Sequence, residues 1–156
     1  MTAGLEDRIK RLEDIQAITE TLYRYAHHID RGEVEELLDV FVADMRYRVR
    51  KRSAEGGFDE MMEFTGAEKF RQFAQMVYAN ISVPPKSGQV NVNTQPLITL
   101  DGDAATALTY QTIVKGDTEG REVTSYGRYR DELVRCADGR WRIASRISEV
   151  ESVNPK

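Results

Sequence analysis

A carboxylate at the end of an amphipathic helix can act as an acid or a base when the helix lays it over an apolar cavity. Asp30 stands in that position, within Tyr25-Ala26-His27-His28-Ile29-Asp30-Arg31-Gly32. On a helical wheel of about 100° per residue, Leu22, Tyr25, Ala26 and Ile29 share one side and Asp30 flanks them. Tyr25, Ala26 and Ile29 are therefore expected to line the cavity. Desolvation there would raise the carboxyl pKa toward neutrality. The competing expectation is a helix-ending acid before Gly32 with no chemistry. His27 precedes Asp30 by one turn, at roughly 60°, within reach of its carboxylate. His28 points away from the apolar stripe and is expected to be exposed. These are the two histidines of the chain, and no third ligand joins them at helical spacing, so no metal site is expected. Of Tyr25, Tyr47, Tyr110, Tyr126 and Tyr129, some should enter the cavity, where a phenol can orient a carbonyl or hydroxyl. Glycine-rich phosphate loops and nucleophile elbows are missing from the sequence, and its Ser and Cys residues have no recognisable base. The chemistry expected is cofactor-free.

The elements that must position these groups change character along the chain. Leu5, Ile9, Leu12, Ile15, Ile18, Leu22, Ala26 and Ile29 recur every three or four residues, the period of one long helix. Gly32 interrupts it; Val34, Leu37, Leu38 and Phe41 resume a shorter one. Met45 to Val49 has strand character, Lys51 to Asp59 that of a loop, and Ala67 to Tyr78 that of a third helix. Past Ser82, Pro84, Pro85, Ser87 and Gly88 break the helical pattern. Four long strands then follow: Val90 to Leu100, Ala104 to Val114, Glu122 to Val134 and Trp141 to Val150, with turns at Asp101-Gly102-Asp103, Lys115-Gly116-Asp117 and Ala137-Asp138-Gly139. Helices first and strands later predict an α+β fold, the helices packed on the concave face of a curved antiparallel sheet. Alternation places Gly127, Tyr129 and Asp131 on one strand face and Tyr126 and Arg128 on the other; one set faces the cavity.

A chain of 156 residues and 17.8 kDa suits a single domain over 1–156. Its net charge of −4 and pI near 5.3 argue against a nucleic-acid partner, which requires clustered surplus Lys and Arg. The strongest basic run, Arg46, Arg48, Arg50, Lys51 and Arg52, alternates at strand spacing and is expected to be a solvated strand face. Cys136 has no internal partner for a disulfide and is expected to be a reduced thiol. Neither a secretory signal pattern at the N-terminus nor a run of membrane-spanning length is present. A cytoplasmic, soluble protein without a membrane partner is expected.

Several motifs together resemble the SnoaL-like members of the nuclear-transport-factor-2-like superfamily. They are Arg24-Tyr25-Ala26 followed by Ile29-Asp30-Arg31-Gly32, then Phe41, Asp44 and Tyr47, Leu100-Asp101-Gly102-Asp103-Ala104, Gly127-Arg128-Tyr129 with Asp131, and Asp138-Gly139-Arg140-Trp141-Arg142-Ile143. The resemblance implies a cystatin-like, conical α+β barrel with a deep pocket. The chain looks most like scytalone dehydratase and the hexachlorocyclohexane dehydrochlorinase, which pair an Asp at the end of the first helix with a His. Asp30 matches that Asp. The position of the His falls on Asn91, whose amide cannot take up a proton near neutral pH. The basic residue on the last strand falls on Arg146, and an aromatic pocket residue falls on Tyr129.

What the resemblance implies is a cofactor-free lyase or isomerase acting on a small hydrophobic, cyclic or aromatic molecule. Asp30 would be the acid/base, Arg146 and a Tyr the charge-stabilising groups, and Asn91 a polar anchor. Tyr25, Ala26, Ile29, Tyr47, Tyr110 and Tyr129 would form the substrate pocket, and the protein would be a homodimer or homotrimer. For Arg146 the competing role is a structural salt bridge. Two other functions fit the same motifs. One is a non-catalytic β subunit of an aromatic-ring-hydroxylating dioxygenase, which Gly127 to Asp131 and Trp141 to Arg146 also resemble; the other is a plain small-ligand-binding homo-oligomer.

Overall fold

The first helix, α1 (Leu5–Arg31), carries Glu6 and Asp7 in its first turn and His28 and Arg31 in its last, charges that complement the helix dipole. It stops because Gly32 takes φ 70° and returns its N–H to the His28 carbonyl, a left-handed cap that favours glycine. A short α2 (Val34–Asp39) follows. Next come β1 (Phe41–Arg52), β2 (Phe58–Thr65), α3 (Ala67–Ala79), β3 (Gln89–Asn93), β4 (Leu97–Asp101), β5 (Ala104–Gly116), β6 (Arg121–Arg135) and β7 (Trp141–Glu151). This computed structural model describes residues 4–79, 89–116 and 120–151. The expected break at Ser82 to Gly88 lies outside the described residues, as does Asp117.

The α+β class and helix-covered, curved sheet are as the sequence predicts. The strands run β2-β1-β7-β6-β5-β3, with β4 also on β5. The sheet is open, since β2 and β3 end that path. It is also mixed rather than wholly antiparallel, because β1 and β7 pair in parallel. Two further differences have local causes. The segment Val90 to Leu100 is two strands, β3 and β4, both on β5; Pro96 between them has no N–H to give a ladder. The part of the chain expected to be a loop holds the start of β2, whose acids answer the basic run of β1. Arg46 pairs with Glu63 at 2.6 Å and Arg50 with Glu60 at 2.6 Å. The arginines of the run are thus paired with acids, Arg46 on the exposed surface and Arg48 and Arg50 half-buried.

The core lies between the helices and the sheet. Ile18, Leu22 and Tyr25 of α1 meet Leu37, Phe41, Met45, Tyr47, Phe70, Tyr129, Leu133, Trp141 and Ile143. Leu5, Ile9 and Leu12 at the start of the same apolar stripe are exposed, so the stripe outruns the sheet that it covers. Asp14 fastens α1 from below: its carboxylate accepts from Arg135 Nη2 at 2.7 Å and Trp141 Nε1 at 3.2 Å.

Candidate active site

Asp30 ends half-buried against β3. Its carboxylate accepts from the Asn91 main-chain N–H at 3.0 and 3.1 Å and from Asn91 Nδ2 at 2.5 Å. Because β3 closes one end of the strand path, the N–H of Asn91 is free to point at the helix instead of at a sheet partner. The sequence-expected partners of Asp30 were a Tyr, His27 or Arg146; the structure supplies Asn91. His27 is exposed and meets His28 edge-on at 5.6 Å. His28 is half-buried rather than exposed, with Nδ1 2.8 Å from Glu33 Oε2. Arg31, and after it His28, holds the Glu33 carboxyl below the usual carboxylate range.

Arg146 is fully buried and bound to Asp131, not Asp30. Nε donates to Asp131 Oδ1 at 2.6 Å and Nη2 to Oδ2 at 2.9 Å. The guanidinium lies between two rings, 4.0 Å from the Tyr25 centroid and 4.2 Å from that of Tyr129, as a flat cation prefers the faces of aromatic rings. Burial pushes the Asp131 carboxyl up although Arg146 pulls against it. Burial likewise opposes the charge of Arg146, but Asp131 outweighs it and the guanidinium stays protonated. Tyr25 and Tyr47 share a hydroxyl hydrogen bond of 2.9 Å, and Tyr129 donates to Gln111 Oε1 at 3.3 Å. Burial raises the Tyr47 and Tyr129 phenols above their ordinary range, so both stay protonated at neutral pH.

Asp131 is the residue that sequence reasoning did not assign. Its face was legible, since Gly127, Tyr129 and Asp131 alternate inward together. Its partner was hidden by a bulge. From the turn, Arg135 faces Trp141 and Leu133 faces Ile143, but Glu132 then faces Ser145 and Asp131 faces Arg146. Ala144 is the extra residue. Were the two strands paired without this bulge, Ala144 would face Glu132, Asp131 would face Ser145, and Arg146 would point to the other side of the sheet. The burial of β7 changes phase accordingly: Trp141 and Ile143 are buried, then Arg146 and Ser148.

Of the other expected pocket residues, Ala26, Tyr47 and Tyr129 are buried on the helix side and Ile29 is half-buried. Tyr110 is 58% exposed on the opposite sheet face and leaves the pocket set. Tyr25 and Asp30 are five residues apart on α1, a rise of about 7.5 Å. The aromatic cage of Arg146 and the Asp30–Asn91 clamp thus lie under the same two turns of helix. Among the described residues, no group of three His, Cys, Asp or Glu side chains comes together as a metal site, and no helix is long and apolar enough to cross a membrane.

The model of the SnoaL-like domain matches residues 10–147. The chain belongs to the SnoaL-like domain family. Comparison with curated proteins gives no match. Solved structures share the SnoaL-like fold across nearly the whole chain. An NTF2-like protein with a cystatin-like fold from Novosphingobium aromaticivorans superposes with a TM-score of 0.78 at 20% identity, covering 100% of this chain and 94% of the other. The β subunit of a provisionally assigned aromatic-ring-hydroxylating dioxygenase from the same organism gives 0.75 at 17%, covering 94% of each chain. A provisionally assigned scytalone dehydratase from that organism gives 0.67 at 20%, covering 92% and 87%. At such identities the likeness shows the fold.

Proposed function

We propose that this SnoaL-like protein is a cofactor-free lyase or isomerase, in which Asp30 moves a proton next to a carbonyl or in an elimination of water. The observation that carries this is the Asp30–Asn91 clamp. Two donors of Asn91, the main-chain N–H shared between both oxygens and the side-chain Nδ2, fix the carboxylate's orientation and leave lone pairs free to meet a substrate proton. Asn91 stands where the related enzymes hold a His, so it orients the carboxylate and takes no proton itself. Asp30 alone then takes the proton and returns it, either to another carbon in an isomerisation or to the departing hydroxyl in a dehydration.

Arg146 acts from a distance in this scheme. Its charge is balanced by Asp131, and it holds the Tyr25 and Tyr129 rings that form the apolar wall beneath α1. Ala26, Ile29 and Tyr47 complete that wall. The test is Asp30→Asn, which keeps size and fold: on a compound that the protein turns over, the variant should lose about two to four orders of magnitude in rate. Full activity in the folded variant would mean that another group moves the proton. A homodimer or homotrimer remains the expected assembly, to be measured by light scattering of the protein expressed alone.

A further inference from the structure

The sheet face turned away from the helices holds a groove of about 560 Å³ that crosses β1, β7, β6, β5 and β4. Asp131 and Arg146 point to the helix side, so alternation puts Arg130, Glu132, Ser145 and Ile147 on the other. The register orders the groove into rows. In one row Arg48 faces Ile147, which faces Arg130, which faces Leu108, which faces Leu97. In the next, Arg46, Ser145, Glu132, Thr106 and Thr99 follow in the same order. The first row thus sets a guanidinium on either side of Ile147 and two leucines beyond them. With strands about 4.8 Å apart, Arg130 and Leu97 stand about 10 Å apart at the backbone.

The cations of this face outnumber their partners. Arg50 holds Glu60 at 2.6 Å, while Arg48 approaches the same carboxylate only to 3.5 Å. Arg128 and Arg130 share Glu149, at 2.5 and 3.0 Å, and Arg46 takes Glu63. Even with exposed Glu132 counted, these five arginines exceed the four carboxylates by one positive charge. Asp131 does not alter the balance, because it belongs to Arg146. Arg48 is the least satisfied of the five: it is half-buried, and its Nε is buried with no hydrogen-bond partner among the described residues. A cation drawn out of water needs an anion that also accepts its hydrogen bonds.

We infer that this groove is a second binding site, one that takes a small amphipathic monocarboxylate. The carboxylate head accepts from Arg48 and Arg130 across Ile147, and an apolar body about 10 Å long lies over Leu108 toward Leu97. One negative charge matches the surplus, whereas a phosphate ester carries more. Leu97 is 72% exposed and Leu108 half-buried, so the apolar body removes their surface from water. A second copy placed here by a two-fold axis would set the surplus against itself; a separate carboxylate neutralises it. The site lies across the sheet from Asp30 and takes no part in the proposed reaction.

Calorimetric titration of the whole chain with octanoate, and with octanamide as its uncharged counterpart, tests the site. Octanoate should bind about tenfold or more tightly, because hydrogen bonds between charged groups are the stronger ones. Arg48→Gln should bring that ratio to about one. Leu97→Asp, at an exposed position that leaves folding intact, should weaken octanoate about tenfold by placing a like charge beside its body. Asp30→Asn should bind octanoate as wild type does, so its turnover judges the acid/base role separately. Equal or absent binding of octanoate by wild type overturns the inference, and so does wild-type affinity in folded Arg48→Gln or folded Leu97→Asp. Loss of binding in Asp30→Asn overturns it too, by moving the ligand to the helix-covered side. So does a wild-type dimer that ignores octanoate and that Leu97→Asp splits in light scattering, since a second copy would then cover the groove.

Discussion

At the scale of single residues, the chain separates two jobs that the sequence invites one to merge. Asp30 and Arg146 looked like a single constellation, yet each has its own partner, Asn91 for one and Asp131 for the other. Asp30 was legible because a carboxylate beside an apolar helical stripe has an unusual place to go. Asn91 could be found only through the family's His position, since a lone Asn in a strand carries no periodic signal. The Arg146–Asp131 pair gives the sharpest stability prediction at this scale. Removing one partner strands a charge in the core, so Asp131→Ala should cost about 3–5 kcal/mol, and Arg146→Met a similar amount. The double variant Arg146→Met with Asp131→Leu should recover much of the loss. Urea denaturation of the three variants checks this; additive losses would mean that the pair is not one unit.

At the scale of elements, what the sequence hid was the register. Turn residues and alternation located the long strands, but a bulge adds one residue without changing composition, and here the bulge at Ala144 decides that Arg146 is a core residue. Deleting Ala144 removes the unpaired residue, so the hairpin should run straight with Asp131 still facing Arg146 and Arg146 still inward. The near-ultraviolet circular dichroism of Tyr25 and Tyr129 should then be retained; its loss in the folded variant would contradict this register. Gly127 is constrained in another way. A Cβ there would collide with the Glu149 carbonyl oxygen of the neighbouring strand, so Gly127→Ala must push β6 and β7 apart. That should cost on the order of 1–3 kcal/mol, read as a lower denaturation midpoint. Strand β2 escaped the sequence reading because its acidic residues lie on an exposed edge, where no apolar alternation is needed.

For the whole molecule, charge pairs tie the periphery of the fold together, and their pH dependence has a definite sign. Arg142, with the Arg140 main-chain N–H, lowers Asp138 to about 2. Arg135 lowers Asp14, and Arg140 lowers Asp39. A depressed carboxyl stabilises the fold above its ordinary pKa of 3.8 and gives that up as pH falls through the folded value. Asp131, raised by burial, has the opposite sign, but its contribution varies with pH above the ordinary 3.8 and is level below it. Melting temperature should therefore fall as pH drops from about 4 to 2, and Asp138→Asn should make the fall shallower; a flat profile would contradict these pairings. Fold and helix placement were legible because periodicity reports burial, whereas the substrate is not, because one SnoaL-like cup can carry many chemistries. The central claim is that Asp30, oriented by Asn91, moves a proton in this folded protein. Proton NMR of hydrogen–deuterium exchange at the carbon next to the carbonyl of 1-tetralone tests it most directly. Wild type should exchange that position well above the buffer rate, Asp30→Asn about two to four orders of magnitude more slowly, and Asn91→Ala about ten to a hundredfold more slowly. Exchange at the wild-type rate in folded Asp30→Asn, or no exchange above buffer in wild type, would contradict the account.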